Sequence, residues 1–297
     1  MTPAARTRPP APSTMAYARI EVPDLEASTT WYTYHVGLEA SRGPGDSVYL
    51  RNGLPHHALE LVGEPSRSES WTTAIGFTVA DDAALRDLHR RCTAAGATVV
   101  PLADSVKAFC RDGFGVVDPN GLVVELLVEY EEYAYVPVVE LRPLDVVHPF
   151  LSTDRYEATV AFYTEVLGFL VSDRIGGSTT FLRSEDRYHH SLAIRRDDRF
   201  YVAHLCFLVS CFDDLMRRRA RAIYKGVPIP SDLVNHSASG SIAFYMHDPA
   251  HGPRIELCDG HTVFDEAKHE THRPRTMTVD PRNIDIWRVA ADDWGRF

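Results

Sequence analysis

The feature that most limits what this chain can fold into is an internal repeat. Residues 22–32, VPDLEASTTWY, resemble residues 152–163, STDRYEATVAFY, and Asp24 and Asp154 lie 130 positions apart. YLRNGLPHHALEL (49–61) resembles FLRSEDRYHHSLAI (181–194), which sets the pair His56-His57 beside His189-His190. AIGFTVADDAALRDLHRRCTAAGATVVP (74–101) resembles HLCFLVSCFDDLMRRRARAIYKGVPIP (204–230), and VVDPNGLVVEL (116–126) resembles YMHDPAHGPRIEL (245–257). Four blocks in the same order at a nearly constant offset are a tandem duplication, and a repeat of this kind sets the architecture before any residue-level reading. Two homologous domains are expected, at 15–130 and 144–261.

Each half is itself doubled. VVHPFL precedes the helix-like DRYEATVAFYTEVLG, and AHLCFLV precedes the helix-like CFDDLMRRRARAIYKG; both stretches stop at a glycine, Gly168 and Gly226, the usual C-terminal punctuation. Short alternating runs follow each, which read as strands. The expected unit is βαβββ, present four times, giving an α+β fold of two domains. Residues 131–143 read as an ordered linker whose tyrosines pack between the halves, 1–14 as a flexible leader, and 262–297 as a tail that covers the second domain. Apolar residues make up 44% and charged residues 24%, a globular mixture.

A formal charge of −10 leaves no basic excess to attract nucleic acid or an anionic membrane. No run approaches the roughly 18 apolar residues of a spanning helix, and the leader lacks the apolar core of a secretion signal. Five cysteines without a CxxC fit a reducing compartment, so a cytoplasmic location is expected.

The duplication also compares the chain with itself. His148 corresponds to Tyr17 and His204 to Ala74, whereas Glu256 corresponds to Glu125. The acid is kept in both halves and the two histidines occur in one. Both histidines start the first strand of a unit and Glu256 lies on a last strand, so the three converge as a 2-His-1-carboxylate set, the donor pattern of non-haem Fe(II) sites. Phe150 and Cys206 each lie two residues past a histidine, on the same strand face, and are expected to line the same pocket. His247, His251, His261, His269 and His272 are expected at the surface.

With these residues in place, the chain resembles the vicinal oxygen chelate superfamily, and within it the two-domain extradiol ring-cleavage dioxygenases. The segments that carry the resemblance are 148–169, 189–194, 204–209, 236–245 and 254–257. It implies two glyoxalase/extradiol-dioxygenase-like domains, with metal held only in the second, by His148, His204 and Glu256. It also implies catalytic roles for His190, selected over His189 by the pattern H-x-x-A, and for His236 and Tyr245, nine residues apart. The implied cofactor is Fe(II), with Mn(II) as the alternative, the implied substrates are a catechol and O₂, and a homo-oligomer is expected. Phe150 stands where some carboxylate-substrate members carry Asn, and PIPSDLVNHS lacks the arginine that many show, which favours an uncharged or bulky catechol. Two other readings remain: a metal-dependent glyoxalase-like lyase or isomerase, and a non-catalytic ligand-binding protein on the same scaffold.

Overall fold

The computed structural model describes residues 9–288. Two mixed sheets, of eight and nine strands, hold four βαβββ units. In the first sheet the leading strands of its two units, Met15–Val22 and Trp71–Thr78, run antiparallel at the centre. The last strand of each unit, Leu59–Gly63 or Val123–Tyr130, lies parallel to its own leading strand. The second sheet repeats this plan, with Asp145–Thr153 against Tyr201–Leu208 and their parallel partners Leu192–Arg196 and Arg254–Asp259. Its ninth strand, Arg275–Met277, comes from the tail and pairs with Leu170–Ile175.

The helices form where apolar residues recur on one face. Asp82–Ala94 buries Ala84, Leu85, Leu88 and Cys92 and is capped by the Asp81 carboxylate, which accepts from Ala84 N at 2.8 Å, a contact typically worth ~1 kcal/mol. The stretch read as one helix before Gly168 is Tyr156–Ala161 followed by a widened π turn, Phe162–Val166. The adjacent aromatics Phe162 and Tyr163 both enter the core there. Gly168 and Gly226 end their segments at φ of +87° and +68°, the left-handed region that glycine enters without steric cost.

One apolar core runs through both halves, from Ile20 and Phe77 to Phe207 and Leu257. The repeat also makes the halves exchange contacts. Tyr163 donates its hydroxyl to Asp118 at 3.3 Å, and its counterpart Tyr32 donates to Asp248 at 3.5 Å. Each buried aspartate in a turn of one half is thus answered by a tyrosine of the other.

Three features differ from expectation. Residues 10–14 do not behave as a free leader: Ala11 is buried, Pro12 O accepts from Glu185 N and Ser13 O from Asp186 N. Extended Pro-rich backbone offers carbonyls that a neighbouring loop can use. The linker aromatics pack on the first half instead of between the halves, because Arg51 lies over Tyr133 at 4.0 Å and over Tyr135 at 4.8 Å. His261 and His269, expected at the surface, are buried: the chain turns at Gly260, φ +66°, and the His269 carbonyl in the helix Glu266–Thr271 accepts from the buried Arg183. Residues 1–8 of the leader and the end of the tail, with Trp294, lie outside the described residues. No helix among the described residues is long and apolar enough to cross a membrane.

Candidate metal centre

Register brings the sequence-selected residues together. His148 and His204 lie on adjacent central strands, and Glu256 is paired with Cys206 on the next strand over. The two Nε2 atoms are 3.3 Å apart, and Glu256 Oε2 is 3.5 Å from His148 Nε2 and 3.0 Å from His204 Nε2. All three side chains are buried. Among the described residues Glu256 pairs with imidazoles and with no Lys or Arg. A buried carboxylate that faces three imidazoles and no Lys or Arg lacks a compensating fixed cation, so this donor set fits a divalent metal.

Burial and charge point the same way. Burial pushes His204 down to about 4, against the pull of Glu256, which leaves a neutral imidazole able to ligate. Burial would raise the Glu256 carboxyl, but His204 and hydrogen bonds from His148, His204 and His236 outweigh it and hold the group well below the usual range.

The triad lies on the floor of a cavity of about 310 Å³, the lower end of small-molecule sites. His190, His236 and Tyr245 line it, with Phe150, Ile175, Phe181 and Val234 as apolar wall. The His190 ring is centred 4.1 Å from that of His148, and burial drives its pKa well below 6.5. His236 Nε2 is 2.9 Å from the Tyr245 hydroxyl and 3.4 Å from Glu256 Oε1. Burial opposes charge on His236, yet Glu256 raises its pKa on balance. Burial, reinforced by Glu256, raises Tyr245 well above 10, so its phenol keeps its proton.

Cys206 is a correction: it does not line the cavity. It is fully buried among Val147, Ala243 and Cys258, with its sulfur 3.4 Å from Cys258 Sγ. Alternation assigns a side chain to a face but not to what covers it there, and side chains of the neighbouring strands enclose Cys206. The tail does reach the site, since Asn283, Ile284, Asp285 and Arg288 close one side of the cavity and His236 bridges to Asp285.

The first half shows what fills the same place without histidines. Tyr17 faces Gly76, and Gly76 neighbours Glu125, as His148 faces Cys206 and Cys206 neighbours Glu256. Tyr17 donates its hydroxyl to Glu125, and a Cβ on Gly76 would come within 2.2 Å of the Tyr17 ring. Arg19, two residues on, bonds Glu60 at 2.6 Å and Glu125 at 3.1 Å. A guanidinium therefore occupies the place of a cation in this half. Tyr245 likewise corresponds by register to Gly115, each opposite the glutamate.

Sequence reasoning missed two groups. His261, with both ring nitrogens unpartnered, has its ring centred 4.7 Å from that of His190 and 5.6 Å from that of His148, and forms with them a second nitrogen cluster. Asp173, buried behind His189, is paired with the exposed Arg275. Neither has a counterpart in the repeat that would have marked it.

The loop that supports the histidine pair carries its own pH dependence. Asp186 accepts from Tyr188 N and Ser191 Oγ, while its Oδ2 is enclosed without a partner; burial pushes this carboxyl up to about 7. The folded chain therefore holds a proton that the unfolded chain releases, and the resulting stability is lost as pH rises through 7. Asp186→Asn should gain on the wild type in melting temperature between about pH 5 and about pH 8, and a constant difference would count against the assignment.

Comparison with known proteins places the chain among related sequences and folds. The chain is 28% identical over 283 residues to an iron-dependent extradiol dioxygenase of Rhodococcus jostii (strain RHA1), covering 85% of this chain and 91% of that protein. It is 27% identical to a biphenyl-2,3-diol 1,2-dioxygenase of Pseudomonas sp. (strain KKS102), covering 82% and 87%. In fold it is similar to a Mn(II)-bound glyoxalase from Novosphingobium aromaticivorans, with TM-score 0.83, 24% identity and coverage of 94% and 92%. It is equally similar to homoprotocatechuate 2,3-dioxygenase from Arthrobacter globiformis, with TM-score 0.83, 20% identity and coverage of 99% and 94%. The family model for the Glyoxalase/Bleomycin resistance protein/Dioxygenase superfamily matches twice, at residues 14–126 and 145–257, and the chain belongs to that superfamily.

Proposed function

We propose that this protein is an Fe(II)-dependent extradiol dioxygenase that opens a catecholic ring at the carbon–carbon bond beside the diol, with both atoms of O₂ entering a muconic semialdehyde-type product. The observation that carries the reading is the buried His148, His204 and Glu256 set on the floor of a cavity walled by His190, His236 and Tyr245. Fe(II) bound there would supply Lewis acidity toward the catechol oxygens and a site where O₂ meets the ring. The side chains supply the rest. His190, kept neutral by burial, accepts a proton at the cavity edge and returns it as a donor. Tyr245, kept protonated, donates a hydrogen bond to a substrate oxygen, and His236, 2.9 Å from that phenol, fixes its direction. Phe150, Phe181 and Ile175 offer flat apolar contact to an aromatic ring and exclude water, which suits an uncharged or bulky catechol.

Aerobic incubation of Fe(II)-loaded or Mn(II)-loaded protein with substituted catechols tests this directly. The expected result is a yellow ring-fission product formed with stoichiometric O₂ uptake. Metal-dependent turnover of a non-catecholic substrate without O₂ would replace the dioxygenase reading with the lyase one.

A further inference from the structure

The histidine pair is a habit of the fold, because both halves show it. His189 Nδ1 lies 3.1 Å from His190 Nδ1, and His56 Nδ1 lies 2.8 Å from His57 Nδ1. What stands behind the pair differs. His189 Nε2 is 2.9 Å from Asp173 Oδ2. Asp173 is fully buried and receives the Arg275 backbone N–H at 2.8 Å and its Nε at 3.0 and 3.1 Å. In the first half the residue opposite Tyr49, as Asp173 is opposite Phe181, is the exposed Ser41. There His56 stacks on Phe109 at 3.5 Å instead.

Donor and acceptor counting then orders the protons along Asp173, His189 and His190. Burial opposes the charge on Asp173, but His189 and Arg275 hold the carboxyl well below its usual range; a carboxylate only accepts. The proton on His189 is therefore at Nε2. His189 is buried and the single charge of Asp173 is already matched by the Arg275 guanidinium, so a second proton on this ring would be an uncompensated buried charge; burial lowers its pKa accordingly, its Nδ1 is a bare acceptor, and the hydrogen in the Nδ1-to-Nδ1 contact belongs to His190. A neutral His190 protonated at Nδ1 carries its lone pair at Nε2, away from His189, in a residue that lines the cavity.

We infer that Asp173, clamped by Arg275, is a positioning residue that acts through His189 to fix His190 as the Nδ1–H tautomer, with the Nε2 lone pair presented to the cavity. Arg275 lies on the tail strand whose continuation closes the cavity through Ile284 and Asp285, so seating the tail and orienting this imidazole are one event. The tautomer assignment stands on the hydrogen-bond chain and on a neutral, buried His189; its catalytic consequence rests on the proposed function.

The test is ¹⁵N NMR of the histidine rings in protein loaded with diamagnetic Zn(II), with His190 identified by the signals lost in His190→Ala. The wild type should show His190 protonated at Nδ1 and bare at Nε2; the opposite pattern overturns the proposal without any further variant. Asp173→Ala should convert His190 to a mixture of tautomers, and Asp173→Asn, which keeps a carbonyl acceptor for His189 Nε2–H, should preserve the wild-type pattern. An Asp173→Ala spectrum identical to wild type, or equal disturbance in both variants, would also overturn it. With Fe(II), Asp173→Ala should lose kcat on the order of a hundredfold at little change in KM and in bound metal, the lower end of what general acid–base catalysis contributes. The ring spectra need no catechol turnover, so failure of the relay and failure of the dioxygenase reading are separable.

Discussion

Changing Glu256 to Gln should leave a folded chain that retains little iron and loses ring-cleavage activity on the order of a thousandfold, equivalent to ~4 kcal/mol of transition-state stabilisation. The side chain keeps its shape, so packing on the buried floor is conserved. What goes is the negative charge that three imidazoles now face at 3.0 to 3.5 Å, and without it the donor set is neutral. Metal per protein by elemental analysis, together with circular dichroism, checks the expectation. A variant with full iron content would show that Glu256 is not a ligand. A variant that lost secondary structure would show instead that the carboxylate holds the sheet together.

The opposite dissociation is expected in the first half. Arg19→Leu removes the guanidinium between Glu60 and Glu125, both buried. Two carboxylates are then left in the interior with only hydroxyl and backbone donors, Tyr17, Ser105 and Ala103, to answer them. Breaking a buried ion pair from one side typically costs 3–5 kcal/mol, about 4 kcal/mol as a central value. At roughly 2–4 °C per kcal/mol for a chain above 150 residues, the melting temperature should drop by roughly ten degrees. Iron per folded molecule should be unchanged, because no atom of the centre is touched. A melting temperature that stays within about a degree of the wild type would mean that water reaches these carboxylates and that the cluster is not a substitute for a cation.

Much of this was legible because the chain contains its own control. The constant offset set the βαβββ plan, and register then placed Tyr17 and His148, or Gly115 and Tyr245, at matching positions. His148, His204 and Glu256 could be read since strand alternation puts them on one face. What covers a side chain on that face is not encoded by alternation, which is why Cys206 was assigned to the pocket. Its neighbours Val147 and Ala243, contributed by other strands, decide that. His261 follows the last repeated strand and is turned inward by Gly260, a return that no spacing rule signals. Asp173 sits in an ordinary alternating run, VSDRI, and its partner Arg275 lies beyond the duplication. The contacts behind His190 therefore arise only once the tail strand is folded against the sheet.

The crossed tyrosines have a thermodynamic consequence. Since Tyr32 and Tyr163 each satisfy a buried aspartate of the other half, and one apolar core spans both, separating the halves would strand polar groups and expose core on each side. Folding is then a single cooperative event, and binding free energy gained at one end of the chain is shared by all of it. A metal held by His148, His204 and Glu256, as proposed, would then stabilise the first half as well as the second, so the copy that lacks the two histidines would still take part in the linkage between metal and fold.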